Sequence, residues 1–138
     1  MSTSGTPVVP PMSDKAAVAL NSAVTATAPA STVLYRIDNQ GTPDDLSTVV
    51  PTTGIATTVG AIGLDLTEVQ AFDIGGTTNQ IALAALRTGV PNGGNATRHS
   101  LYRINLSTGA ATLFNSTAAA SVIGGTTGAP LVDIAIRP

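Results

Sequence analysis

The run Leu34-Tyr35-Arg36-Ile37-Asp38 returns later as Leu101-Tyr102-Arg103-Ile104-Asn105. Successive side chains of a strand point to opposite faces, so Tyr35 and Ile37 share one face and Leu34 and Arg36 the other. A strand with one apolar and one mixed face suits a place nearer the rim of a sheet. Working outward, Thr53-Gly54-Ile55-Ala56-Thr57 is answered by Thr108-Gly109-Ala110-Ala111-Thr112, and Phe72-Asp73-Ile74 by Val132-Asp133-Ile134. The spacing differs from pair to pair, and the first copy holds the longer insertion, GTPDDLSTVV at 41–50. Recurring strands joined by loops of unequal length are the signature of a repeat architecture.

From Ser31 onward, β-rich runs alternate with Gly, Pro, Asn and Asp clusters. This spacing predicts strands at Thr32–Asp38, Asp45–Val50, Gly54–Val59, Val69–Ile74, Gln80–Arg87, Ser100–Asn105, Ala110–Phe114 and Leu131–Ile136. The run from Gln80 to Arg87 is apolar on both faces, with Ile81, Leu83 and Ala85 on one and Ala82, Ala84 and Leu86 on the other. A sheet with one wet face would alternate instead, so this strand belongs in a blade covered on both sides. Residues 1–30 read as an extended N-terminal arm, with Pro7, Pro10 and Pro11 near its start. Within it, 15–30 fits either a short helix capped by Ser13 or Asp14 or a strand, with Thr and Val favouring strand after Asn21.

Composition narrows the function. Charged residues make up 10% of the 138 positions, against roughly 25% in an average soluble protein. Six basic residues and a net charge of −2 exclude an electrostatic nucleic-acid binder. The absence of cysteine removes disulfides, thiolate metal sites and a thiol nucleophile. No stretch approaches the ~18 apolar residues of a membrane helix. The first residues lack the basic region and apolar run of a secretory leader.

Candidate chemistry is sparse. His99 is the single histidine and reads as a solvated residue at the mouth of a strand. Its neighbour Ser100 points the other way, so the pair makes no Ser-His device. Asp38, Asp44 and Asp45 carry carboxylates around a turn and are the calcium candidates. The EF-hand spacing is missing, and a polar hairpin loop is the leading reading. Asp65 and Glu68 read as a turn and a cap rather than an acid pair. Asp73 and Asp133, at matching repeat positions, read as buried acceptors of backbone N–H groups. The four aromatic rings, Tyr35, Phe72, Tyr102 and Phe114, read as core or rim packing. No catalytic constellation and no cofactor site emerges.

The run from Val33 to Arg137 resembles the C-terminal part of the bacterial domain-of-unknown-function family 4394. The resemblance rests on LYRID at Leu34, TVGAIGLDL from Thr58 to Leu66, AFDIGG from Ala71, LAAL from Leu83, LYRINLSTGAATLF from Leu101 and VDIAIRP from Val132. It implies a β-propeller-like fold, usual export and no assigned catalytic residues. Members of that family hold several-fold more blades than this sequence.

The expected fold is therefore all-β: antiparallel propeller-blade-like sheets, a partial propeller or small β-sandwich over 31–138, preceded by the arm. One complete four-strand unit, about Val69–Phe114, is flanked by partial units at Thr32–Val59 and Leu131–Ile136. Propellers close on roughly four to eight blades, and uncovered edges recruit other strands. The expected function is a self-assembling structural subunit of an extracellular filament or surface layer. Copies would exchange a strand drawn from Val18–Thr27, with Val18, Leu20 and Val24 as assembly residues. The expected partner is a homo-oligomer or polymer, with no nucleic acid and no membrane insertion. A virion decoration or structural protein, to which Met1 without a leader points, and a glycan- or protein-binding module are the alternatives.

Overall fold

A computed structural model describes residues 17–21, 32–75, 81–89, 99–115, 123, 131 and 133–136. They form eight strands and no helix: β1 (Ala17–Asn21), β2 (Val33–Asp38), β3 (Asp45–Val49), β4 (Ala56–Ala61), β5 (Leu66–Gly75), β6 (Ile81–Thr88), β7 (Ser100–Ile104) and β8 (Ala111–Leu113). Two four-stranded antiparallel sheets result, ordered β1-β2-β3-β4 and β5-β6-β7-β8. Each is a simple meander, the connectivity of a propeller blade.

One core lies between the sheets. The first sheet contributes Ile37 and Leu46, and the second contributes Phe72, Ile74, Ala82, Ala84, Leu86, Tyr102 and Ile104. Edge strand β1 lies against edge strand β5. At the other end of the sheets, Ala111 N donates to Ile62 O at 3.0 Å. A Cβ on Gly60 would overlap the Thr108 carbonyl oxygen, and one on Gly109 would overlap the Gly60 carbonyl oxygen. The two blades thus stack with their strand orders running together, β1 over β5 and β4 beside the β7–β8 turn.

The strand at β5 is longer than its period-2 pattern suggested. Two bulges set Thr67 and Gln70 aside from the ladder, so Leu66 pairs Thr88, Val69 pairs Leu86 and Phe72 pairs Ala84. A bulge inserts one extra residue and flips the facing of the residues beyond it. Leu66, Val69, Phe72 and Ile74 therefore all reach the core despite their uneven spacing.

Several expectations change. The first unit is a complete blade, because β1 pairs β2 with Ala17 opposite Ile37. The LYRI strands are interior, β2 between β1 and β3 and β7 between β6 and β8, rather than nearer the rim. Leu131–Ile136 contributes no strand among its described residues. That segment is tied by a side chain instead, Ile136 N donating to Asp73 Oδ2 at 2.6 Å.

Candidate functional site

The loop between β2 and β3 ends in Asp44, whose carboxylate is buried between the blades. Leu66 N donates to its Oδ2 at 2.6 Å, and Ile62 N donates to its backbone carbonyl at 2.9 Å. One residue thus secures both ends of the link from β4 to β5. Burial pushes the Asp44 carboxyl above the usual range, against the Leu66 N–H that lowers it, and neighbouring Asp65, Asp38 and Asp45 push it further up. A hollow of about 260 Å³ opens beside it, lined by loops 41–44 and 63–65 and by both Asp44 and Asp65.

The three calcium candidates are not gathered around that hollow. Asp38 takes an ion pair from Arg36 and Gln40 N at 2.9 Å. Asp45 accepts from Ser47 Oγ at 3.1 Å and from Thr58 Oγ1 at 2.6 Å. Each carboxylate already has donors of its own. Among the described residues no three His, Cys, Asp or Glu side chains come together as a metal group.

A second polar cluster sits near the start of β5, where Glu68 Oε2 lies 2.8 Å from Arg87 Nη2 and 3.5 Å from His99 Nε2. The second separation is long for a hydrogen bond, and it becomes an ion pair only when His99 is protonated. His99 is 9% exposed, so the solvated reading is overturned. Pairing of β6 with both β5 and β7 brings Glu68 and Arg87 beside the start of β7. Desolvation lowers the His99 pKa, Arg87 lowers it further, and Glu68 opposes both. Glu68 is a strand residue in an ion pair and caps nothing, while Asp65 offers its backbone carbonyl to Gly89 N at 3.3 Å.

The repeated aspartates divide. Half-buried Asp73 accepts from Ile74 N at 2.9 Å and from Ile136 N, as an acceptor of backbone N–H groups should. Asp133 accepts from Ile134 N at 2.8 Å but is exposed rather than buried.

The surfaces available for contact are sheet edges and one sheet face. Ile81, Leu83, Leu101 and Arg103 lie on the face of the second sheet turned away from the core. The C-terminal segment covers part of that face, with Ile136 so close to Gly75 that an added Cβ would come within 2.7 Å of it. Ile81 and Phe114 are left 38% and 49% exposed. The Arg103 guanidinium stands 5.5 Å from the Phe114 ring centroid. Of the assembly residues, Val18 and Leu20 lie in β1 opposite Arg36 and Leu34 of the same chain. Val24 lies outside the described residues. Composition did not single out the β4 edge or the exposed pair Val50 and Ile55. Both become visible only once strand order is known.

Among the described residues no helix is long and apolar enough to cross a membrane. The profile of a family described as Domain of unknown function (DUF4394) matches residues 12–135, and the chain belongs to that family. No curated protein and no solved structure matches the chain.

Proposed function

We propose that this member of the DUF4394 family is a structural subunit that self-assembles, in an extracellular filament or surface layer, by completing its sheets with those of other copies. The observation that carries the reading is the pair of open four-stranded blades, half or less of the roughly four to eight that close a propeller. The uncovered apolar residues Ile81 and Phe114 on the outward face of the second blade add to it. Among the described residues, the N-terminal strand β1 is held in its sheet by β2 alone and lies against β5 only across the blades. A strand attached along one edge is suited to exchange, each copy offering its β1 to the β2 of the next in the same register. Charge is scarce, so the chain works by contact on this reading.

Light scattering over a range of concentrations, with electron microscopy of the same material, tests it. Oligomers or filaments are expected, and a folded 13.7 kDa monomer at every concentration overturns the proposal. Removal of residues 1–21 separates the exchange from the assembly: polymers that persist without β1 overturn strand exchange alone. Glycan binding is the second reading, favoured by the hollow beside Asp44 and Asp65. Its test is titration with soluble oligosaccharides, and virion attachment would show as co-purification with particles.

A further inference from the structure

We propose that a second copy of this chain pairs along the outer edge of β4, antiparallel and about a two-fold axis, so that the sheet β1-β2-β3-β4 runs on into the same sheet of its partner. The inference rests on the self-assembly reading and names its contact, but it does not depend on exchange of β1.

Two open sheets have four edges: β1, β4, β5 and β8. Strands β1 and β5 lie against each other within the molecule. The edge at β8 is three residues long, and a very short strand is one way proteins blunt an edge. The edge at β4 is different. It is six residues long, Ala56-Thr57-Thr58-Val59-Gly60-Ala61, and no strand among the described residues pairs with its outer side. It carries no Lys, no Pro and no charge of any kind, the guards that usually keep an edge from pairing.

The open part of β4 is its first half. Its second half is engaged, since Gly60 meets the Thr108–Gly109 turn and a bulge at Val59 interrupts pairing with β3. Ala56, Thr57 and Thr58 are all exposed. The hairpin that leads into them exposes Val50 at 48% and Ile55 at 50%.

A second copy fits this edge for three reasons. An antiparallel edge is complementary to itself, because a two-fold axis brings each strand's free N–H and C=O groups to the other's. Two uncharged strands meet without the like-charge penalty that opposed charges of one sign impose. Pairing centred on Thr57 sets Ile55 opposite the partner's Val59, which places exposed apolar surface of one copy against a residue at the margin of the other's core.

The chain has no cysteine, so the single variant Thr57→Cys, which the two-fold axis sets opposite its own copy, reports on this edge alone. Cross-strand Cβ atoms lie about 4.5–5.5 Å apart, within reach of a short bismaleimide. The expected result is a covalent dimer from Thr57→Cys and none from Thr112→Cys, an exposed control on β8. Thr57→Lys should lower the mass of the assembled species by about two-fold or more, as expected when one interface of an assembly is lost. If wild type assembles but Thr57→Cys does not cross-link, the β4 contact is overturned and self-assembly stands. If wild type is monomeric throughout, both fall. Should Thr57→Lys misfold, the cysteine variant still decides.

Discussion

At the scale of single residues, Asp44 and His99 carry the most physical content. Replacing Asp44 with Ala strands the buried Leu66 N–H, and an unmade bond of that kind costs about 1–3 kcal/mol. Asp44→Asn keeps an acceptor and should cost less at neutral pH. The raised carboxyl pKa gives a sign to the pH dependence: the folded state holds the proton more tightly than the unfolded chain, so stability falls as pH rises from 3.8 through the folded value. Denaturant unfolding of wild type against Asp44→Asn should therefore show the wild type gaining ground as pH drops toward 3.8. A difference that does not change with pH would contradict the burial argument. His99 has the opposite trend. Its lowered pKa means that its contribution is present above 6.5 and lost as pH falls through the folded value. Wild type should lose stability in that interval more steeply than His99→Gln, measured by the same unfolding curves. Neither role was legible locally. Asp44 sits in a run of loop-forming residues, and the amide that it holds belongs to Leu66, 22 positions away. His99 stands between Arg98 and Ser100 and looks wet until β5 and β6 bring Glu68 and Arg87 beside it.

At the scale of elements, most strands were readable because alternation and turn residues agree. The spans Val33–Asp38, Asp45–Val49, Ile81–Thr88 and Ser100–Ile104 fall within a residue or so of the sequence reading. The start of β5 was not readable. Its core residues Leu66, Val69 and Phe72 are spaced by three, and only bulges at Thr67 and Gln70 reconcile that spacing with a strand. The packing of one blade on the other was also hidden, because it depends on two small residues meeting at a distance. Gly60 and Gly109 let the backbones of β4 and the β7–β8 turn approach closely, and φ at Gly109 is 83°. Gly63 has a similar φ of 80° but open space where a Cβ would go. The two sites separate backbone strain from crowding. Gly63→Ala should cost only the left-handed strain, roughly 1–2 kcal/mol. Gly109→Ala should add the penalty of overpacking, typically about 1–3 kcal/mol more. Equal losses in urea unfolding would mean that the blades do not press together there.

At the scale of the molecule, two blades stacked through one core leave surface that a closed propeller would bury, and the character of that surface sets how copies would meet. The sequence carries the blade repeat but not the strand order, so it could suggest open sheets without saying which edge is bare. Val50, Ile55, Ile81 and Phe114 are exposed apolar side chains, and β4 offers backbone groups with no charge beside them. Association through such surface draws on apolar burial and backbone hydrogen bonds, with little contribution from ion pairs. Salt screens exposed charges over about 8–10 Å near physiological ionic strength, while sulfate strengthens burial by exclusion from protein surface. Assemblies of this chain should therefore keep their mass when sodium chloride is raised to about 1 M, a concentration at which the screening length falls to about 3 Å. They should grow in ammonium sulfate well before the folded state is affected. Light scattering across the two salts checks this directly. Dissociation in sodium chloride would show that the copies are held by charge, most directly by Arg103 beside Phe114, and would move the contact from the β4 edge to the outward face of the second blade.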